Sequence, residues 1–114
     1  MTTELHAVKP LDNFRIDFDA KQWKEPFPGS RYKAYRSGNR LVRIAEFTPE
    51  FTEADWCEKG HVGYVIEGSM QIDCHGRIET LKAGDGLFIP PGQGAGHKVH
   101  ALTPVVRLLL VEEI

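Results

Sequence analysis

The segment Asp55–Gly68 reads DWCEKGHVGYVIEG. Its second half, Val62-Gly63-Tyr64-Val65-Ile66, is rich in β-branched and aromatic residues and stops at a turn signal, Glu67-Gly68. That is the signature of a strand. Its first half carries Asp55, Cys57 and His61, three side chains able to bind a metal or move a proton. All three have the same parity. In extended backbone without a bulge, residues two and four apart point to one face. One face of such a strand would therefore carry a carboxylate, a thiol and an imidazole together. Polar groups of this kind are rarely buried in a small domain unless they are paired or used.

Outward from this segment the chain alternates short apolar runs with turn signals. Upstream, Phe14-Arg15-Ile16-Asp17-Phe18 alternates and reads as a strand, and Asp19 to Lys24 could form a helical turn around Trp23. Pro26, Pro28 and Gly29 interrupt regular structure. Arg31 to Arg36 and Arg40 to Thr48 flank Ser37-Gly38-Asn39, a hairpin signal, and Pro49 ends the second arm. Downstream, Ser69 to Cys74 and Arg77 to Leu81 flank a tight turn at His75-Gly76. Leu87-Phe88-Ile89 reads as a short buried strand between Ala83-Gly84-Asp85-Gly86 and Pro90-Pro91-Gly92. His97 to Leu102 and Val105 to Val111 read as the last two strands, and residues 1–12 as an arm or early strand. Many short strands and no long helix predict an all-β sandwich or barrel, mostly antiparallel.

The chain has 114 residues, 41% of them hydrophobic, which fits one domain with a real core. Fourteen basic residues against sixteen acidic give a net charge of -2, which argues against general polyanion binding and so against nucleic acid as a partner. No apolar run approaches the roughly 18 residues needed to cross a bilayer, and MTTELHAVKP lacks a basic-then-apolar leader. The expectation is a cytoplasmic protein without a membrane partner. Two cysteines, Cys57 and Cys74, do not make a disulfide framework and are expected as reduced thiols.

Two segments, HVGYVIEGSMQI and AGDGLFIPPGQGAGH, resemble the two sequence motifs of the cupin superfamily, G-x5-H-x-H-x3or4-E-x6-G and G-x5-P-x-G-x2-H-x3-N. Gly68 supplies the last glycine of the first motif. Gly84, Pro90 and Gly92 fit the second at the expected spacing. The resemblance covers about residues 48–110. It implies a single small jelly-roll barrel, or double-stranded β-helix, spanning 1–114, with one open pocket and pairing into a homodimer. The ligand positions depart from the family's three histidines and one glutamate. Counting from Gly68, the glutamate position holds His61 and the two histidine positions hold Asp55 and Cys57. The final histidine position holds Ala95, with His97 two residues on and so on the same strand face.

These residues carry the functional expectation. His61 and His97 read either as metal ligands or as pocket histidines hydrogen-bonded to each other, to backbone or to ligand. Cys57 reads as a thiolate ligand or as a small buried hydrophobe. Asp55 reads as a ligand, as a pocket residue orienting His61 from behind, or as a solvated loop residue. If Cys57, His61 and His97 converge, two imidazoles and a thiolate suit zinc with an open fourth position, with iron, manganese and nickel as the other metals the resemblance brings in. The implied function is a small-molecule pocket, either in a divalent-metal-dependent enzyme acting on a small polar metabolite or in a metal-free, non-catalytic sensor. Glu67 is expected to be exposed and Asp85 to cap its turn. His75 belongs to a turn, and His100, of opposite parity to His97, is expected to face outward. The hairpin cations Arg31, Lys33, Arg36, Arg40 and Arg43, interleaved with Tyr32 and Tyr35, read as a solvated face or as a grip for an anion. Trp23 and Trp56 read as core or contact surface.

Overall fold

The computed structural model of the protein describes residues 14–114, so the arm expected over 1–12 lies outside the described residues. Nine strands follow one another: β1 (Lys24–Phe27), β2 (Ser30–Ser37), β3 (Arg40–Phe47), β4 (His61–Glu67), β5 (Ser69–Cys74), β6 (Arg77–Lys82), β7 (Gly86–Ile89), β8 (Lys98–Ala101) and β9 (Val106–Glu113). Six form a sheet in the order β1-β2-β3-β9-β4-β7 and three form a second sheet, β6-β5-β8. Every pairing is antiparallel. The two sheets close on each other as a jelly-roll barrel.

Period-2 alternation decides which residues fill the barrel. On β9, Val106, Leu108, Leu110 and Glu112 are buried while their neighbours are more open. Val65, Val106 and Leu108, each at most 1% exposed, pack with Ala45 and Leu110 from the larger sheet. Met70, Ile72, Leu81 and Ala101 meet them from the smaller sheet.

The turns follow the turn chemistry. Gly38 and Asn39 connect β2 to β3 in unbroken register from Ser30↔Phe47 to Ser37↔Arg40. His75 and Gly76 connect β5 to β6 with both residues at positive φ, 54° and 96°. Asp73 accepts a hydrogen bond from the Gly76 amide at 2.7 Å. Asp85 does cap its turn, accepting from the Lys82 amide at 2.9 Å.

Three expectations about the elements are corrected. Phe14 to Phe18 forms no strand: Phe18–Ala20 is a 3-10 turn, and the Ala20 and Lys21 amides donate to Asp17 and Phe18 carbonyls. Alternation makes a strand only where a sheet edge is free to pair with it. Pro26 does not end regular structure but sits within β1, the outermost strand, whose pairing with β2 is irregular between Lys24 and Phe27. Finally, β7 is not buried on both faces, because the outer face of the large sheet is open here as on β4, and Phe88 on it is 77% exposed.

Candidate metal centre

β4 begins at His61, and its inward parity carries His61, Gly63 and Val65 toward the barrel interior. His97 stands just before β8, in the other sheet. Cys57 lies on the loop leading to β4 and is fixed there by an isolated bridge to His97. The Cys57 amide donates to the His97 carbonyl at 2.8 Å, and the His97 amide to the Cys57 carbonyl at 3.0 Å. One ligand atom from each of Cys57, His61 and His97 can be chosen so that all three lie within 4.8 Å of one another. Sγ of Cys57 is 3.7 Å from Nε2 of His61. A thiolate and an imidazole on one tetrahedral zinc stand about 3.6 Å apart, given bonds of about 2.3 and 2.1 Å.

The outer nitrogen of each ring lies beside an acceptor. Nδ1 of His97 donates to the Ala95 carbonyl at 3.1 Å. Nδ1 of His61 is in close contact with Oε2 of Glu112, off the line of the ring N–H, and this buried nitrogen has no other polar partner among the described residues. Either contact favours the tautomer with its lone pair on Nε2, the atom facing the cluster. A carboxylate or carbonyl behind the distal ring nitrogen is how metal-binding histidines are generally held.

Burial pushes the His97 imidazole below the usual histidine range. The neighbouring His61 adds to this, while the Ala95 carbonyl and the Glu53 carboxylate work the other way. A ring only 2% exposed and of lowered basicity offers a neutral nitrogen near pH 7. Glu112 is different. Burial would raise its carboxyl, but His61 and Arg43 outweigh burial and bring it down to about 2. Arg43 grips it with two hydrogen bonds, Nε to Oε1 at 2.9 Å and Nη2 to Oε2 at 2.7 Å. A chain of contacts thus runs Cys57, His61, Glu112, Arg43, and ends with the Arg43 guanidinium over the Tyr32 ring at 5.1 Å.

The cluster forms one corner of a cavity of about 170 Å³ inside the barrel. Phe47, Phe51, Met70, Ile72, Leu108 and Leu110 supply much of its wall.

The remaining candidates lie elsewhere. Asp55 is exposed on the loop and lines no part of the cavity, which corrects its placement in the pocket or behind His61. The carboxylate behind His61 is Glu112. Asp55 and Cys57 precede β4 rather than continuing it, so the shared parity of 55, 57 and 61 does not carry across the intervening loop. His100 is exposed, and His75 lies in its turn against Trp56, ring centroids 4.0 Å apart. Glu67 is exposed beside Arg107. Four of the five hairpin cations are engaged within the chain: Arg31 on Glu46, Arg43 on Glu112, Lys33 on the Phe18 carbonyl, and Arg36 on the Gly38 carbonyl. Trp23 lies beneath Arg31 and Lys33.

Residues 40–101 match the profile of the AraC-like ligand binding domain, more than half of the chain. The chain belongs to that family. Solved structures show the same cupin fold. KdgF from Halomonas sp. is 21% identical, with a TM-score of 0.69 over 84% of this chain and 91% of that one. A sugar phosphate isomerase of the cupin superfamily from Silicibacter pomeroyi is 16% identical, with a TM-score of 0.72 over 88% and 75%. The polyketide cyclase RemF from Streptomyces resistomycificus is 23% identical, with a TM-score of 0.70 over 87% and 78%. No curated protein matches the chain closely enough to count as a relative. At these identities the likeness is one of fold. No helix among the described residues of this cupin is long and apolar enough to cross a membrane.

Proposed function

We propose that this cupin binds a small molecule inside its barrel, at a divalent metal held by Cys57, His61 and His97. Zinc fits the donor set first, since two imidazoles and a thiolate are ligands of the borderline-soft kind it favours. The observation that carries the reading is the close approach of three donors, one opening β4, one leading into β8 and one on the loop before β4, with each imidazole Nδ1 beside an acceptor. Three protein ligands leave a coordination position open, and a zinc ion there would polarise a ligand oxygen and lower the pKa of bound water. The chain's own part is to orient both rings through Glu112 and Ala95 and to enclose the ligand behind an apolar wall. That arrangement supports a metal-dependent enzyme. The profile match, to a ligand binding domain, favours a second reading: a metal-free sensor that binds its metabolite and turns nothing over.

Elemental analysis of the purified, untagged chain separates the two. The metal reading expects roughly one divalent ion per chain, lost from the His61→Ala, His97→Ala double variant while the fold persists. Metal-free protein that takes up no zinc on titration would leave only the sensor.

A homodimer is part of the same proposal. Val62, Tyr64, Phe88 and Val111 are 48%, 49%, 77% and 37% exposed. Val62 is paired directly with both Phe88 and Val111, so the four make one apolar patch on the outer face of the large sheet. A twofold pairing that sets this face against itself would remove that patch from water.

A further inference from the structure

The cavity wall identifies the class of ligand more narrowly than the fold does. Each charged side chain along it already has a partner. Arg31 holds Glu46, Arg43 holds Glu112, and Oε1 of Glu53 accepts from the Val99 amide at 2.8 Å. Away from the Cys57, His61, His97 corner the interior is mainly hydrocarbon and aromatic ring: Phe47 stacks on Phe51 at 5.1 Å, Met70, Ile72, Leu108 and Leu110 line it, and Ser30 and Tyr32 add hydroxyls to the wall. Phe27, 61% exposed, stands at the mouth with its ring 6.2 Å from Phe51, so the approach is apolar too. A hydroxyl-rich sugar placed here would bring more hydroxyls than this mainly apolar wall has partners for, and desolvation penalises each one left unpaired. The wall thus favours a less polar ligand than the small polar metabolite expected from the sequence. The volume sets the size. A dry apolar cavity of about 150 Å³ accommodates benzene, and this one measures about 170 Å³.

We propose that the barrel takes a compact, mainly apolar carboxylic acid, with a single ring or branched chain of about six to eight carbons against the wall and its carboxylate at the Cys57, His61, His97 corner. The carboxylate half rests on the metal reading above. The apolar half rests on the wall alone.

The test uses three probes, toluene, benzoate and glucose, titrated calorimetrically into the stripped and the zinc-loaded chain, with zinc binding measured separately. Toluene is expected to bind both forms alike. Benzoate is expected to bind the loaded form at least about tenfold more tightly than the stripped one, because a metal-bound carboxylate no longer lacks a counter-charge. Glucose is expected not to bind. Val99→Phe, which adds bulk to the cavity wall from β8 and removes no cluster donor, is expected to weaken toluene at least about tenfold and to leave zinc uptake unchanged. Should that variant not fold, the three probes on the natural chain still decide. Glucose bound in preference to toluene, or toluene unaffected in a folded Val99→Phe chain, would overturn the proposal. Toluene bound together with zinc that changes nothing for benzoate would overturn the carboxylate half. Toluene bound with no zinc uptake at all would overturn the metal reading and support the apolar cavity.

Discussion

Glu112 is buried, ionised, and in contact with both His61 and Arg43, so the electrostatics of the cluster pass through it. Replacing it with glutamine keeps the shape and removes the charge behind His61. Glu112→Gln is expected to lower zinc affinity about 10- to 100-fold, read by competition with a chelating dye, with circular dichroism reporting that the barrel remains. An unchanged affinity would mean that the carboxylate does not orient the ring. The three donors were legible in the sequence because Cys57, His61 and His97 stand at or near motif positions and few other side chains offer such lone pairs. Glu112 was not. The last strand was expected to stop at Val111, one residue short of Glu112, and Arg43 read as one more cation of a basic hairpin. The signal that could have found Glu112 is its parity with Leu108 and Leu110, which puts it on the inner face of β9. Asp55 failed for the converse reason, since parity holds only within one continuous strand.

At the scale of elements, two features tie strands together, and each predicts a measurement. Gly68 turns β4 into β5 at φ 83°, and a Cβ there would run into the Val105 carbonyl and Thr103 Oγ1. Gly38 has φ 59° in its hairpin but open space around it. Gly38→Ala should cost about 1 kcal/mol, from conformation alone, and Gly68→Ala well over about 2 kcal/mol, because overpacking adds to it. Urea unfolding of both variants checks the order, and equal losses would deny the crowding. The second feature is a row across β2, β3 and β9: Arg31, Glu46 and Arg107 are direct cross-strand partners. Glu46 accepts from Arg31 Nε and from Arg107 Nε, both at 2.8 Å. Burial would raise the Glu46 carboxyl, but the hydrogen bonds from Arg107 and Arg31 outweigh it and hold the group below the usual carboxylate range. A depressed folded value means stability that is fully present above the ordinary carboxylate pKa and lost as acid takes the pH down through the folded value. The stability gap between the natural chain and Glu46→Gln is therefore expected to be widest near neutrality and to shrink below about pH 4.5. A gap that ignores pH in urea melts would rule the ion pairs out as its cause. The strands themselves were largely legible, because turn residues and period-2 alternation agree from β2 through β9. The misreadings fall at the margins: Phe14 to Phe18 alternates without a partner, and Pro26 marks an edge rather than an end. Whether a strand finds an edge is decided by chain topology, and local sequence does not encode it.

At the scale of the whole molecule, one outer surface and one inner contact carry the predictions. The apolar patch around Phe88 predicts that Phe88→Asp shifts sedimentation from dimer to monomer without changing the far-ultraviolet spectrum, since a charge there must be desolvated twice in a twofold interface. A natural chain that sediments as a monomer at high concentration would remove the dimer. The inner contact is the cluster itself. His61 opens β4 in the six-stranded sheet, His97 leads into β8 in the three-stranded one, and Cys57 bridges to His97 from the loop between. A metal held by all three would join the two sheets at one end of the barrel, adding to the apolar core packed between them. Because the unfolded chain scatters these donors, binding belongs to the folded state and adds to its stability. With free zinc at a hundred times its Kd the gain is about 2.7 kcal/mol, on the order of 10 °C in Tm for a domain of this size. The gain should be global. Amide exchange is expected to slow in β4 and in β8 together, and His97→Ala should abolish the effect in both, although β4 does not contain the substituted residue. Zinc that protects β4 alone would place the ion on one sheet and dissolve the idea of a clamp.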